Sequence, residues 1–77
     1  MRKELSVKQI YDDFVVKTIL NDTEQDVLIR YIKSESIVKI STDLALSTAT
    51  VSRVIAELKD KYSNYKKLEL AKLSILN

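Results

Sequence analysis

The chain has 77 residues, 45% hydrophobic and 31% charged, with a formal net charge of +2. That size and apolar content suit one domain with a small core rather than a disordered tail, and the apolar runs are too short to span a membrane. Gly, Pro, Cys and His are all absent, which removes most tight-turn chemistry, glycine-rich phosphate loops, disulfides, thiolate nucleophiles, the commonest general base and the usual zinc ligands. The adjacent carboxylates Asp12 and Asp13 fall within a helical pattern, where neighbouring side chains point about 100° apart and do not converge on a site. The expected protein is therefore all-α, a compact four- to five-helix bundle over residues 1–77, with no enzyme activity, cofactor or metal. The first residues, MRKELSVKQI, alternate charge with apolar side chains and lack a signal-peptide core. A cytoplasmic location is the matching expectation.

In chain order, the first helix is expected over residues 6–20. Ser6 and Gln9 have the spacing of a capping box, and Val7, Ile10, Tyr11, Phe14, Val15 and Ile19 recur at steps of three and four. Asn21-Asp22-Thr23 compete for backbone hydrogen bonds and mark a turn with a new N-cap. A second helix follows over about Glu24–Lys33, burying Val27, Leu28, Tyr31 and Ile32, with Glu24 and Asp26 in its first turn, where the helix dipole favours negative charge. Ser34-Glu35-Ser36 breaks it. A short helix runs from Ile37 to Ala45, with Ile37, Ile40 and Leu44 on one face. Leu46-Ser47 turns the chain into a helix from Thr48 to about Tyr62. Ser63-Asn64 is expected to end that helix, and the residues from Tyr65 to Leu76 form the last one.

Residues 37–58 meet several constraints of a helix-turn-helix together. Ile40 and Leu44 seat the first helix, Ser41 is small where the two helices approach, and Ala45-Leu46 supplies a small residue and an apolar plug. Ala45 stands where glycine is usual, which implies αL strain. Val51, Val54, Ile55 and Leu58 gather on the inner side of the second helix. Its outer side carries Ala49, Ser52, Arg53 and Ala56. Two alanines keep that side low enough to approach base edges, and Arg53 has the reach for a bidentate contact to guanine. Ser47, Thr48 and Thr50 cluster at the helix start, where hydroxyls and free N–H groups suit a phosphate oxygen; Ser47 is equally an N-cap. Lys59, Lys61, Lys66 and Lys67 are candidate anchors for flanking phosphates. Charge supports this modestly. Residues 1–35 carry six Lys/Arg against seven Asp/Glu, and residues 36–77 carry seven against four.

The run Ser47-Thr-Ala-Thr-Val-Ser-Arg-Val54 resembles the start of the recognition helix in LacI-type repressors. Over residues 23–76 the pattern is similar to the LuxR/GerE family. Thr23, Val27-Leu28, Ile40-Ser41, Leu44, Leu46-Ser47, Thr50-Val51, Ile55, Leu58 and Lys61-Tyr62 occupy the corresponding positions. Ala49 and Val54 stand where that family commonly has Lys and a polar residue, leaving Arg53 as the main base-reading candidate. The outline also resembles region 4 of sigma factors. These resemblances imply a phage or bacterial transcription regulator that binds double-stranded DNA, with a last helix, residues 64–76, that mediates homodimerisation. Leu68, Leu70, Ala71, Leu73, Ile75 and Leu76 wrap more of that helix than one core-facing stripe needs, which agrees with a partner; cover by the first helix is the competing expectation. Two other functions fit the same residues. One is a protein-interaction module that binds RNA polymerase, a sigma factor or another regulator. The other is a replication or packaging accessory of a mobile element.

Overall fold

A computed structural model describes the backbone of residues 1–76 and the side chains of residues 1–72. Five helices follow in order: α1 Arg2–Leu5, α2 Lys8–Thr18, α3 Asp22–Ile32, α4 Ile37–Leu44 and α5 Thr48–Leu76, with no strand among the described residues. The all-α expectation holds. Against α5 pack α2, α3 and α4, while α1 closes over α2 and α3.

Each helix sends at least one side chain into a single core. Leu5, Phe14, Val27, Leu28, Ile40, Val51 and Leu58 are all at or below 1% exposure. Phe14 is edge-on to both Tyr62 and Tyr65, its ring centroid 5.4 Å from each. Such edge contacts align the positive ring edge with a negative face and add to the gain from burial. They fix α2 to the middle of α5. The Tyr65 hydroxyl donates to the Asp13 carboxylate, and Lys17 bridges Asp13 at 3.3 Å and Glu69 at 2.8 Å. The hydrogen bond to Asp13, with burial, pushes the Tyr65 hydroxyl up to about 12.

Helix starts follow their capping residues. Asn21 Oδ1 accepts the Glu24 N–H at 2.8 Å and Glu24 Oε1 accepts the Asn21 N–H at 3.2 Å, a reciprocal capping box. Ser36 Oγ accepts the Lys39 N–H at 3.1 Å to open α4. Helix ends are less ordinary, because no glycine is available for the left-handed position. Ile19, Ser34 and Ala45 take it instead, with φ of 56°, 65° and 55°. After Ser34 and Ala45 the backbone closes in Schellman form: the Glu35 N–H reaches the Arg30 carbonyl at 3.1 Å, and the Leu46 N–H reaches that of Ser41 at 2.9 Å.

Several boundaries differ from the sequence expectation. The helix placed over residues 6–20 is two helices. Val7 is extended at φ −80°, ψ 119°, and Ser6 ends α1 rather than capping α2. Its Oγ donates to the Arg2 carbonyl at 2.8 Å, so the expected box with Gln9 does not form. Leu5 explains the split, since it is buried and must turn inward from a separate short helix. Val7 and Ile19, expected in the core, are 49% and 83% exposed. Ser63-Asn64 does not break the last helix, and α5 runs unbroken for 29 residues. Helix-interior Ser and Asn each cost only about 0.5 kcal/mol relative to Ala. Tyr62 and Tyr65, packed on Phe14 on either side of them, hold the helix across that point.

Two measurements check this description. A β-branched residue in the αL region is strained by about 1–2 kcal/mol, and the Ile19 side chain has little packing to lose. Ile19→Asn should therefore raise the urea-unfolding free energy by roughly 1 kcal/mol. The second concerns Glu24, which is buried and paired with Lys61 across the α3–α5 interface. Burial alone would raise its carboxyl. The Lys61 hydrogen bond, the Asn21 amide and the Lys61 charge outweigh burial and hold it below the ordinary value of 4.5. A carboxylate lowered by folding stabilises above its unfolded value, and that contribution is lost as pH falls through the folded one. The melting temperature should drop as pH falls below about 4.5, and Glu24→Gln should flatten that drop while lowering stability at neutral pH.

Candidate nucleic-acid interface

The chain from Ile37 to Leu58 forms two helices joined by Ala45-Leu46-Ser47, the turn length of a helix-turn-helix. Three local features set it. Ala45 supplies the left-handed step and Leu46 is packed against the core. Ser47 caps the second helix, its Oγ accepting the Thr50 N–H at 3.1 Å and donating to Thr50 Oγ1 at 2.8 Å. Ser41, small and buried, donates its hydroxyl to the Val38 carbonyl at 2.8 Å, so close packing leaves no polar atom unsatisfied. Arg30 joins α3 to this unit, reaching Asp43 at 2.9 Å and Glu35 at 3.3 Å, and Lys39 adds a contact to Glu35 at 3.2 Å.

Val51, Val54, Ile55 and Leu58 all lie in the core, as their spacing predicts. Their burial turns Ala49, Ser52, Arg53 and Ala56 outward, and all four are exposed. Thr48 and Ser47 are exposed at the helix start, with Thr50 half-buried beside them. Arg53 has no carboxylate partner among the described residues. A guanidinium so placed is free to offer its fork of donors to an outside acceptor. Beside it an open cleft of about 530 Å³, between the start of α3 and α5, is lined by Asn21, Thr23, Thr50, Arg53, Glu57 and Lys61.

Of the four lysines grouped with this surface by sequence, Lys66 and Lys67 are exposed on α5, and Lys59 and Lys61 behave differently from one another. Lys59 is exposed, with Nζ 5.9 Å from the centroid of the Tyr31 ring. Lys61 is half-buried and committed to Glu24 across the α3–α5 interface. Its place is on the Arg53 side of α5, where it holds the bundle together. Two further cations lie near Lys59 that sequence spacing did not connect with α5. Arg2 sits over the same Tyr31 ring, 4.4 Å from its centroid, and Lys3 and Lys59 line one open cleft between α1 and α5. Their separation from Lys59 along the chain is more than fifty residues, so helical periodicity carries no trace of it.

Leu68 and Leu70 are 66% and 61% exposed. Although α2 is tied to α5 at Tyr65 and Glu69, it leaves both leucines uncovered. The side chains of Leu73, Ile75 and Leu76, named with them from sequence, lie outside the described residues. Among the described residues no helix is long and apolar enough to cross a membrane. A scan against protein-family models, a search of curated proteins and a search of solved structures each gave no match.

Proposed function

We propose that the chain is a sequence-specific, double-stranded DNA-binding transcriptional regulator that places the first turns of α5 in the major groove. The observation that carries this is the outer face of those turns. Ala49, Ser52 and Ala56 form a low surface around an exposed Arg53 that has no carboxylate partner among the described residues, at the start of a capped helix held by a short turn to α4. A solvated face with no partner usually carries Glu and Lys; this one is small, hydroxylated and ends in one donor fork. Arg53 would read guanine O6 and N7, Ser52 a base edge or phosphate, and Ser47, Thr48 and Thr50 the sugar-phosphate strand. The residue pattern shared with LuxR/GerE domains agrees with this function, as does the absence of His and Cys with a non-enzymatic one.

A homodimer through the distal part of α5 fits the same scheme. Leu68 and Leu70 are exposed there, and a twofold pair of recognition helices about 34 Å apart would read a palindrome. A second function is favoured by one feature, the exposed Glu57 and Asp60 that follow Arg53 on α5. They would repel phosphate on that side and suit a basic surface of RNA polymerase or another regulator.

Binding to duplex DNA should weaken steeply with salt, because phosphate contacts release counterions. Arg53→Ala should lower affinity for the selected site by about 1–3 kcal/mol while leaving random-sequence binding nearly intact. Fluorescence anisotropy on selected and random duplexes distinguishes the two. Equal affinity of wild type and variant for the selected site would remove Arg53 from the interface. Absence of duplex binding by folded protein at low salt would favour the protein-partner function.

A further inference from the structure

The cations of this chain divide into two populations. Arg30, Lys39, Lys17, Lys61, Lys66 and Lys72 each lie within ion-pair distance of at least one carboxylate. Their charges are used within the bundle. Arg2, Lys3, Lys8, Lys33, Arg53, Lys59 and Lys67 have no such partner among the described residues. Three of these seven converge on one place, an open cleft of about 680 Å³ between α1 and the middle of α5.

Arg2, Lys3, Lys59 and Lys66 line that cleft, with Tyr31 and Tyr62 as its walls and Glu4 as its one carboxylate. Glu4 meets Lys66 at 3.4 Å. The remaining charge is held in position by the aromatic rings. Arg2 lies 4.4 Å and Lys59 5.9 Å from the Tyr31 centroid, and Lys66 lies 5.7 Å from that of Tyr62. A ring face attracts a cation without neutralising it. These contacts therefore orient the like charges toward one another's neighbourhood while leaving their field unbalanced. Such an arrangement is unfavourable in the empty protein and becomes favourable when an anion enters.

The position of the cleft says which anion. At 100° and about 1.5 Å per residue, Lys59 and Lys66 follow Ser52 and Ala56 down one flank of α5, and Glu57 and Asp60 fall toward the other. Lys59 and Lys66 share their flank with no carboxylate between Ser52 and Lys66, whereas Arg53 stands between Asp60 and Glu57, about 120° round the helix from Lys59. Lys59 is about 9 Å and Lys66 about 20 Å along the axis from Arg53. The major groove is about 12 Å wide, so a helix whose Arg53 reaches the bases carries Lys59 and Lys66, about 120–140° round it, toward a strand that borders the groove. The charge there is one phosphate per 3.4 Å of each strand, a row of anions rather than one. A row of anions suits a cleft that gathers cations from two helices.

We infer that the cleft between α1 and α5 is a second DNA contact, in which Arg2, Lys3, Lys59 and Lys66 clamp the phosphodiester strand bordering the groove read by Arg53. This rests on the DNA-binding function proposed above and adds to it a residue set remote in sequence from the helix-turn-helix. It assigns α1 a role: its buried Leu5 anchors a short arm whose exposed side carries Arg2 and Lys3 to the DNA.

The test is the salt dependence of binding by the full chain to a random duplex of about 20 base pairs, between roughly 50 and 200 mM salt. Three proteins are compared: wild type, the cleft variant Arg2→Gln/Lys3→Gln, and a control, Lys8→Gln/Lys33→Gln. The control removes the same charge from exposed, unpaired lysines that lie together at a different cleft, on the other side of α1. Each phosphate contact contributes about 0.9 to the slope of log affinity against log salt. Loss of two contacts should make the wild-type fall in affinity over that range about twelvefold shallower in the cleft variant, and leave it unchanged in the control. Low-salt affinity should fall in the cleft variant equally for selected and random sequences. Lys59→Gln/Lys66→Gln, placed on the rigid α5, should reproduce the effect if the changes in α1 perturb folding by circular dichroism. Equal slopes in cleft variant and control, or an unchanged slope in both cleft pairs, would overturn the clamp. If Arg53→Ala still impairs selected-site binding in that case, the DNA-binding function survives without it. Failure of wild type to bind any duplex overturns both.

Discussion

The stripe of side chains from Val51 to Tyr65 on α5 is the contact on which the rest of the molecule depends. Ile40 meets it from α4, Val27 and Leu28 from α3, and Phe14 from α2. None of those helices exceeds 11 residues, and helices that short are marginal in water without tertiary packing. Burial against α5 is therefore what keeps them folded. It also fixes the rotation of α5 about its own axis, because the buried stripe can face only one way. The orientation of Ala49, Ser52, Arg53 and Ala56 toward solvent is set by the same contact. Core and candidate interface are two sides of one constraint.

How much of this was legible in the sequence varied with the distance over which each feature is determined. The starts of α3, α4 and α5 rest on Asn21, Ser36 and Ser47, whose side chains bond within three residues; the pattern names Ser47 as a cap and places the other two within the breaks Asn21-Asp22-Thr23 and Ser34-Glu35-Ser36. The inner face of the first turns of α5 was equally plain, since apolar spacing on one helix is local information. The ends of helices were harder. Ser63-Asn64 has the composition of a break, and what overrides it is Phe14, some fifty residues earlier, packed on the tyrosines to either side. The split at Ser6-Val7 depends on where Leu5 finds its burial, which no local rule supplies. Ile19 fits a helical stripe by its position, but the αL step that ends α2 turns it into solvent.

Charges were the least legible of all. Thirteen Lys/Arg and eleven Asp/Glu give nearly balanced totals, and a linear count says little about partners. The fold sorts them. Glu24 occupies Lys61, Asp43 and Glu35 occupy Arg30, and Glu69 occupies Lys17. Subtracting these pairs leaves a local excess of positive charge that the totals conceal. Net charge thus understates the field at any one surface of a small bundle whose acidic residues serve mainly to tie helices together.

The continuity of α5 through Ser63-Asn64 has a mechanical consequence. A rod of 29 residues is about 43 Å long, close to the full 47 Å extent of the molecule. No joint interrupts it between the Arg53 turn and the exposed leucines near its far end. Levers without hinges transmit angle. A tilt of ten degrees imposed at one end displaces the other by about 7 Å, more than one helical turn. Whatever holds the far end of α5 thereby sets the angle at which its first turns meet any surface, and whatever those turns meet is felt in full at the far end.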